Sequence, residues 1–99
     1  MKTNKMKSVI SKTGKKVKFE LSAKPGSQVF VAGTFNNWNP STHRLKDNPD
    51  QGQFIRAVHV PKGIHQYKFI VDGVWTGDPK CVTAVANGYG SQNSVLHIE

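Results

Sequence analysis

The chain has 99 residues and a formal net charge of +8. This length is typical of a single domain, and no apolar stretch approaches the roughly 18 residues that a membrane-spanning helix needs. The basic N-terminus lacks the apolar region of a signal peptide, and the single cysteine, Cys81, has no partner for an internal disulfide, so we expect a cytoplasmic protein.

The positive charge is concentrated at the N-terminal end of the chain. Residues 1–24 contain eight lysines and one acid, for a net charge of +7, whereas residues 25–99 contain six basic and five acidic residues, for a net charge of +1. Folds that bind nucleic acid place positive charge on the binding face. The nearly neutral body therefore disfavours such a fold, although a lysine-rich tail remains compatible with an interaction module for protein or nucleic acid.

The first part of the chain predicts a tail followed by β structure. Residues 1–14 are rich in lysine, serine and threonine without a sustained period, and we expect a flexible basic tail there and one domain over residues 15–99. Residues 16–22 alternate strictly, which places Val17, Phe19 and Leu21 on one face of a strand. A short apolar strand over residues 28–32 follows. Residues 41–51 are polar and are interpreted as a loop.

The second part of the chain continues the β pattern. In the strand over residues 54–60, Arg56 shares the face of Phe54, which indicates either a bulge or a position near a sheet edge. Asp72-Gly73 is a strong hairpin signal. Further strands are predicted at residues 64–71, 74–76, 81–85 and 93–98. About seven short strands at intervals of about 8–12 residues predict an antiparallel β-sandwich.

The two tryptophans lie beside turns rather than within apolar runs. Trp38 precedes Asn39-Pro40, and Trp75 follows the Asp72-Gly73 turn. An indole at a turn can offer its flat apolar face to a sugar or a nucleobase, whereas the alternative is packing at a strand end. The alternation of Tyr67 and Phe69 with Lys68 predicts that the lysine projects away from the core. Lys68 could then lie near Trp75 across the hairpin, or simply be solvated.

Three segments resemble a known family. They are Val31-Ala-Gly-Thr-Phe-Asn-Asn-Trp-Asn-Pro40, Gly63-Ile-His-Gln-Tyr-Lys-Phe-Ile-Val-Asp-Gly-Val-Trp-Thr-Gly-Asp-Pro79 and Asn93-Ser-Val-Leu-His-Ile98. Together they resemble carbohydrate-binding module family 48, and above all the glycogen-binding domains of AMP-activated protein kinase β subunits. The resemblance implies an immunoglobulin-like, early-set β-sandwich. It also implies binding to α-1,4-linked glucans such as glycogen, starch and maltooligosaccharides.

The same resemblance assigns roles to individual residues. Trp38 and Trp75 match the stacking tryptophans of the family, and Lys68 and Asn93 match its sugar-binding lysine and asparagine. Tyr89 matches a bulky loop residue that contacts the glucan. The hydroxyl of Ser91 is a further candidate for sugar binding. The implied partners are a glucan and a glucan-metabolising enzyme or kinase subunit, which the module would target or regulate.

The residues contain no pattern that predicts an enzyme. A glycosidase needs two carboxylates about 5–9.5 Å apart, but Asp72 and Asp78 are explained by turns and Asp47 and Asp50 lie in the polar segment. No nucleophile motif is present, and the four histidines lack the spacing of zinc ligands. We therefore expect a non-catalytic protein without a metal or cofactor.

Overall fold

The computed structural model describes residues 14–47, 51–81, 83–88 and 91–99, which form eight β-strands and one 3-10 turn. The strands are β1 (Gly14–Ser22), β2 (Val29–Gly33), β3 (His43–Asp47), β4 (Gln53–Pro61), β5 (Gly63–Val71), β6 (Val74–Thr76), β7 (Ala84–Ala86) and β8 (Gln92–Ile98). The 3-10 turn covers Thr34–Asn36. Within these ranges, no helix is long and apolar enough to cross a membrane.

All of the strand pairings are antiparallel. The strand order is β1-β4-β3-β2-β5-β8-β7, and the short strand β6 also pairs with β5. Strand β3 pairs through its first three residues with β2 and through its last two residues with β4, so it connects the two parts of the sheet. The sheet curls around a core between these two parts, and the predicted all-β sandwich class is confirmed.

The core contains the alternating side chains that the sequence pattern selected. Phe19 and Leu21 on β1 and Tyr67 and Phe69 on β5 are all buried, and Phe69 is completely so. The ring of Phe19 lies edge-on to that of Tyr67, with centroids 5.1 Å apart. Complete burial of a phenylalanine side chain stabilises a fold by about 1.5–3 kcal/mol, so this aromatic group contributes strongly to the packing of β1 against β5.

The interpretation of residues 41–51 as a loop is wrong, because the segment contains strand β3. Only Leu45 of this strand is buried, and it is 1% exposed. The other residues of β3 are polar and at least partly exposed. A five-residue strand with one inward-facing apolar side chain shows no visible alternation. Its β structure is decided by backbone pairing with β2 and β4.

Arg56 adopts the second of its two predicted arrangements. The register between β1 and β4 is continuous, with Phe19 opposite Arg56, so no bulge is present there. The pairing of β3 with β4 ends at Ile55. Arg56 therefore lies just past the end of that ladder, where its guanidinium donates a hydrogen bond to the carbonyl oxygen of Arg44 at 3.2 Å.

Most of the predicted strands begin or end a few residues from the predicted positions, and the largest shifts are in β1 and β7. Strand β1 already begins at Gly14, and the remainder of the predicted tail lies outside the described residues. The strand expected over residues 81–85 is observed as β7 at Ala84–Ala86, where it pairs with the start of β8.

Candidate functional site

The site is built around Lys68 in the second half of β5. One edge of β5 pairs with β2, while the other pairs with β8 up to Tyr67 and with β6 from Phe69 onwards. Lys68 therefore lies at the junction where β8 begins and β6 ends. Its side chain is on the face opposite to Tyr67 and Phe69, as the alternation predicted. It is nevertheless only 7% exposed, so the solvated alternative is wrong.

The hairpin between β5 and β6 brings Trp75 to the same face. Asp72 and Gly73 have φ angles of 49° and 85°, both in the left-handed region that a two-residue type I′ turn requires. Trp75 lies opposite Ile70 in the β5–β6 ladder, and Ile70 is two residues from Lys68 on the same face. Trp75 is 45% exposed. The predicted proximity of Lys68 and Trp75 therefore follows from this register.

Trp38 is held by an unusual backbone conformation after the 3-10 turn. Both Asn37 and Trp38 have left-handed backbones, with φ angles of 56° and 57°. Such a conformation is rare for a bulky residue, and each strained residue costs on the order of 1–3 kcal/mol. The Trp38 N–H donates to the carbonyl oxygen of Gly33 at 2.9 Å, which closes the turn. The surrounding contacts therefore maintain a strained backbone that places this indole.

The side chain of Asn36 stabilises that turn. Its Oδ1 accepts a hydrogen bond from the Gly33 N–H at 3.0 Å, and its Nδ2 donates to the Val31 carbonyl oxygen at 3.2 Å. Nδ2 also donates to Nδ1 of His43 at 2.9 Å, which requires His43 to be unprotonated at that nitrogen. Partial burial and then the nearby Arg56 charge lower the pKa of His43, consistent with a neutral ring.

Gly33 permits a close approach between β2 and β5. A Cβ atom at this position would lie 2.4 Å from the carbonyl oxygen of Gln66 and 2.9 Å from the Cβ of Tyr67. Real Cβ atoms do not come so close to other atoms, so any other residue would force the strands apart. The glycine thereby sets the distance between the Trp38 turn and β5.

The two indoles form one bent apolar surface. Their ring centroids are 6.4 Å apart, and their planes are inclined at 49° to each other. Trp38 lies in the turn after β2, and Trp75 lies on β6. Because β2 and β6 pair with opposite edges of β5, the two rings come from opposite sides of that strand. The two tryptophans that the sequence singled out thus lie together on one side of the molecule.

Polar side chains continue from the indoles along β5 and β8. The ammonium of Lys68 donates to Ser91 Oγ at 3.0 Å, and Asn87 Nδ2 donates to the same oxygen at 2.8 Å. Asn87 Nδ2 also donates to Asn93 Oδ1 at 3.2 Å, and Asn93 Nδ2 donates to Gln66 Oε1 at 3.0 Å. We call this set, Lys68, Ser91, Asn87, Asn93 and Gln66, the polar ladder.

The indoles and the polar ladder line an open cleft of about 630 Å³. The residues that line it are Thr34, Trp38, Gln66, Lys68, Trp75, Asn87, Ser91 and Asn93. The structure therefore brings together five of the six residues selected from the sequence. The sixth, Tyr89, lies outside the described residues.

Sequence reasoning missed Thr34, Gln66 and Asn87 as lining residues. Gln66 could have been found, because it shares a strand face with Lys68 by simple alternation. Thr34 is linked to β5 by accepting the Gln66 backbone N–H at 3.2 Å, a contact between distant parts of the chain. Asn87 lies just after β7, where the sequence shows only turn residues.

The segment after β6 is anchored beneath the cleft by Tyr67. The Tyr67 hydroxyl donates to the carboxylate of Asp78, and burial together with this carboxylate raises the pKa of Tyr67 well above its usual range. Asp78 Oδ1 in turn accepts the backbone N–H of Lys80 at 2.9 Å. Asp78 thus has a structural partner. Within the described parts of the chain, no cluster of three or more His, Cys, Asp or Glu residues could hold a metal ion.

The fold and the cleft together define a small antiparallel β-sandwich module with paired tryptophans beside a ladder of hydrogen-bonding side chains. A family model described as the glycogen recognition site of AMP-activated protein kinase matches residues 15–99. The match covers most of the chain, and the chain belongs to this family.

Curated relatives agree with this assignment. The chain is 38% identical over 74 residues to the 5'-AMP-activated protein kinase subunit beta-2 of Mus musculus and of Homo sapiens. It is 36% identical over 74 residues to subunit beta-1 of Rattus norvegicus. Each alignment covers 75% of this chain but 26% of the relative. The chain therefore spans about a quarter of the length of these relatives.

Proposed function

We propose that this chain is a non-catalytic module that binds α-1,4-linked glucans in the cleft, with glycogen as the first candidate. The observation that carries the proposal is the placement of two indoles, 6.4 Å apart, directly beside a ladder of hydrogen-bonding side chains. Sugars present an apolar C–H face and a rim of hydroxyls. A surface with both features side by side matches both parts of such a ligand.

The inclination of the indoles favours a curved glucan over a flat one. Two rings tilted by 49° cannot both lie flat against the face of an extended, ribbon-like chain such as a β-1,4-glucan. An α-1,4-linked chain turns from one glucose to the next, so successive units can face Trp38 and Trp75 in turn. The membership of the chain in a glycogen-recognition family supports the same choice.

The polar ladder supplies the hydroxyl contacts. We assign hydroxyl binding to Lys68 and Asn93, which are both more than nine-tenths buried and therefore held in defined positions. Ser91 lies between them in the hydrogen-bond ladder, and its hydroxyl is a third contact. We assign Tyr89 a stacking role against the glucan, in line with the loop residue that it matches.

The proposed module does not cleave its ligand. None of the eight described residues that line the cleft carries a carboxylate, whereas glycoside hydrolysis needs a pair of them. Release of reducing sugar from amylose by the purified chain would contradict the non-catalytic assignment.

We further propose a cytoplasmic protein that brings a glucan-metabolising enzyme or a kinase subunit to glycogen, because relatives at 36–38% identity are β subunits of a kinase.

Isothermal titration with maltoheptaose tests the binding proposal. We expect micromolar or weaker affinity, with longer chains preferred, since each sugar hydroxyl only exchanges water for protein. Trp75 is 45% exposed, which leaves on the order of 110 Å² for a sugar to cover. If half of that area is covered, burial contributes about 1.4 kcal/mol, so Trp75→Ala should weaken binding about tenfold.

A matched control separates this effect from general damage to the sheet. Val74 precedes Trp75, is 64% exposed and does not line the cleft. Val74→Ala should therefore leave the affinity unchanged, whereas Trp38→Ala and Trp75→Ala should both reduce it while circular dichroism shows a folded domain. The absence of binding heat and of chemical-shift changes with millimolar maltoheptaose would refute the proposal. A gel shift with nucleic acid that survives deletion of residues 1–14 would favour an interaction module instead.

A further inference from the structure

The ammonium of Lys68 has no carboxylate partner among the described residues, although the residue is only 7% exposed. Each of the five described acidic residues contacts something else. Glu20 lies near Lys18 and Lys80, Asp47 accepts backbone N–H groups, Asp72 accepts from Gln28, Asp78 from Tyr67, and Glu99 lies near His97. A buried charge without a counter-charge is expensive, so an anion at this position would be stabilised.

Three members of the polar ladder, Lys68, Ser91 and Gln66, have donor groups that the described contacts leave unused. Ser91 Oγ accepts from both Lys68 and Asn87, so its own O–H is left to donate into the cleft. Lys68 uses one N–H on Ser91 and has two more. Gln66 Oε1 accepts from Asn93, while the Nε2 group of Gln66 has no protein partner in the described part of the chain. These groups match a ligand that offers several acceptor oxygens.

A neutral glucan satisfies this arrangement incompletely. A sugar hydroxyl carries a hydrogen as well as lone pairs, and it brings no charge to offset the ammonium. A phosphate monoester carries close to two negative charges at neutral pH and oxygens that accept several hydrogen bonds at once. Hydrogen bonds between ionised partners are shorter and about twice as strong as those between neutral groups.

We propose that the cleft prefers α-glucans that carry a phosphate monoester, with the phosphate bound by Lys68 Nζ and Ser91 Oγ and an adjoining oxygen bound by Gln66 Nε2. The proposal rests on glucan binding in this cleft and adds the chemical class of the preferred ligand. The indoles position the sugar chain, and the spare donors of the polar ladder select the charged substituent.

The test compares two maltooligosaccharides of equal length, one unmodified and one with a single 6-phosphate, by isothermal titration. We expect the phosphorylated sugar to bind about tenfold more tightly at low ionic strength, a difference of about 1.4 kcal/mol. The advantage should shrink as salt rises from 0.01 to about 0.5 M, because salt screens charge–charge attraction. Affinity for the unmodified sugar should change little over the same range.

Three variants assign the effect to residues. Lys68→Met, which keeps the length of the side chain without its charge, should abolish the advantage, and Ser91→Ala should reduce it. Lys62 is an exposed lysine outside the cleft, and Lys62→Met should preserve it. If Lys68→Met does not fold, the inference is tested by the affinity advantage of the phosphorylated sugar in Ser91→Ala and by its decrease with salt in the wild-type protein.

The alternative outcomes are distinguishable. Equal or weaker binding of the phosphorylated sugar, with the unmodified sugar still bound, would overturn this inference and leave the proposed function intact. Absence of binding by both sugars would overturn both. Inorganic phosphate and glucose 6-phosphate are the remaining probes, and either one binding as tightly as the phosphorylated oligosaccharide would overturn the inference by showing a simple anion site. An advantage that persists in Lys68→Met would do the same.

Discussion

The side chain of Asn36 should determine whether Trp38 is presented to the cleft. Asn36→Ala removes three hydrogen bonds, to the Gly33 N–H, the Val31 carbonyl oxygen and His43 Nδ1, at 3.0, 3.2 and 2.9 Å. At about 1 kcal/mol each, the three bonds sum to about 3 kcal/mol. Asn36 is only partly buried, so water can replace part of this loss. We expect the free energy of unfolding to fall by about 2 kcal/mol.

The same substitution should also weaken ligand binding. Asn36→Ala leaves the backbone bond from the Trp38 N–H to the Gly33 carbonyl oxygen but removes the side-chain bonds that support the turn. We therefore expect the left-handed backbone at Asn37 and Trp38 to relax and the contact between the two indole rings to be lost. Chemical denaturation measures the stability, near-ultraviolet circular dichroism reports the coupling of the indoles, and titration with maltoheptaose measures binding. We expect Asn36→Ala to weaken near-ultraviolet signals and to reduce the affinity.

Two further variants refine this test. Asn36→Asp keeps the oxygen that accepts from Gly33 but removes both donated bonds, so its effect should be intermediate. Asn37→Gly alters the neighbouring residue at a φ of 56°, a conformation that glycine adopts without steric strain, and should be nearly neutral. A loss below about 0.5 kcal/mol in Asn36→Ala, with unchanged affinity, would refute the role of Asn36.

Three other predictions concern His43, Tyr67 and Gly33. Partial burial and then Arg56 lower the pKa of His43 in the folded state, so the unfolded chain binds a proton at His43 more readily than the folded chain does. The contribution of His43 to stability is therefore complete above its ordinary pKa of about 6.5 and is lost as the pH falls below that value. The denaturation midpoint measured from pH 8 to 5 should fall less steeply in His43→Gln, and identical slopes would contradict the assignment. Tyr67→Phe removes the donor to Asp78 and should reduce stability by about 1–3 kcal/mol by chemical denaturation, whereas a neutral result would show that water replaces the hydroxyl. Gly33→Ala places a Cβ 2.4 Å from a backbone oxygen of β5 and should cost at least about 2 kcal/mol, and a melting temperature within a degree of the wild type would contradict that close approach.

Local patterns determined the β class and the face of each long strand. Strict alternation placed Phe19 and Leu21 in the core and put Lys68 on the opposite face of β5 from Tyr67, and the structure agrees. The Asp72-Gly73 signal located the hairpin that carries Trp75. Alternation and turn chemistry are properties of a few consecutive residues, so they can be read without knowledge of the fold. Strand β3 was not predicted, because it has a single buried side chain and depends on pairing with distant strands.

The assembly of the cleft was decided by tertiary structure. Trp38 and Trp75 are 37 positions apart in the sequence, and their ring contact requires the β2–β5 register, the left-handed backbone at Trp38 and the absence of a Cβ at Gly33. The burial of Lys68 likewise depends on where β8 begins and β6 ends along β5. The sequence alone singled out Trp38, Lys68 and Trp75 as candidates for the proposed sugar-binding surface, but it did not select Thr34, Gln66 or Asn87. Only the pairing of distant strands decided that these side chains share one cleft, because register and close backbone approach arise between segments that have no local influence on each other.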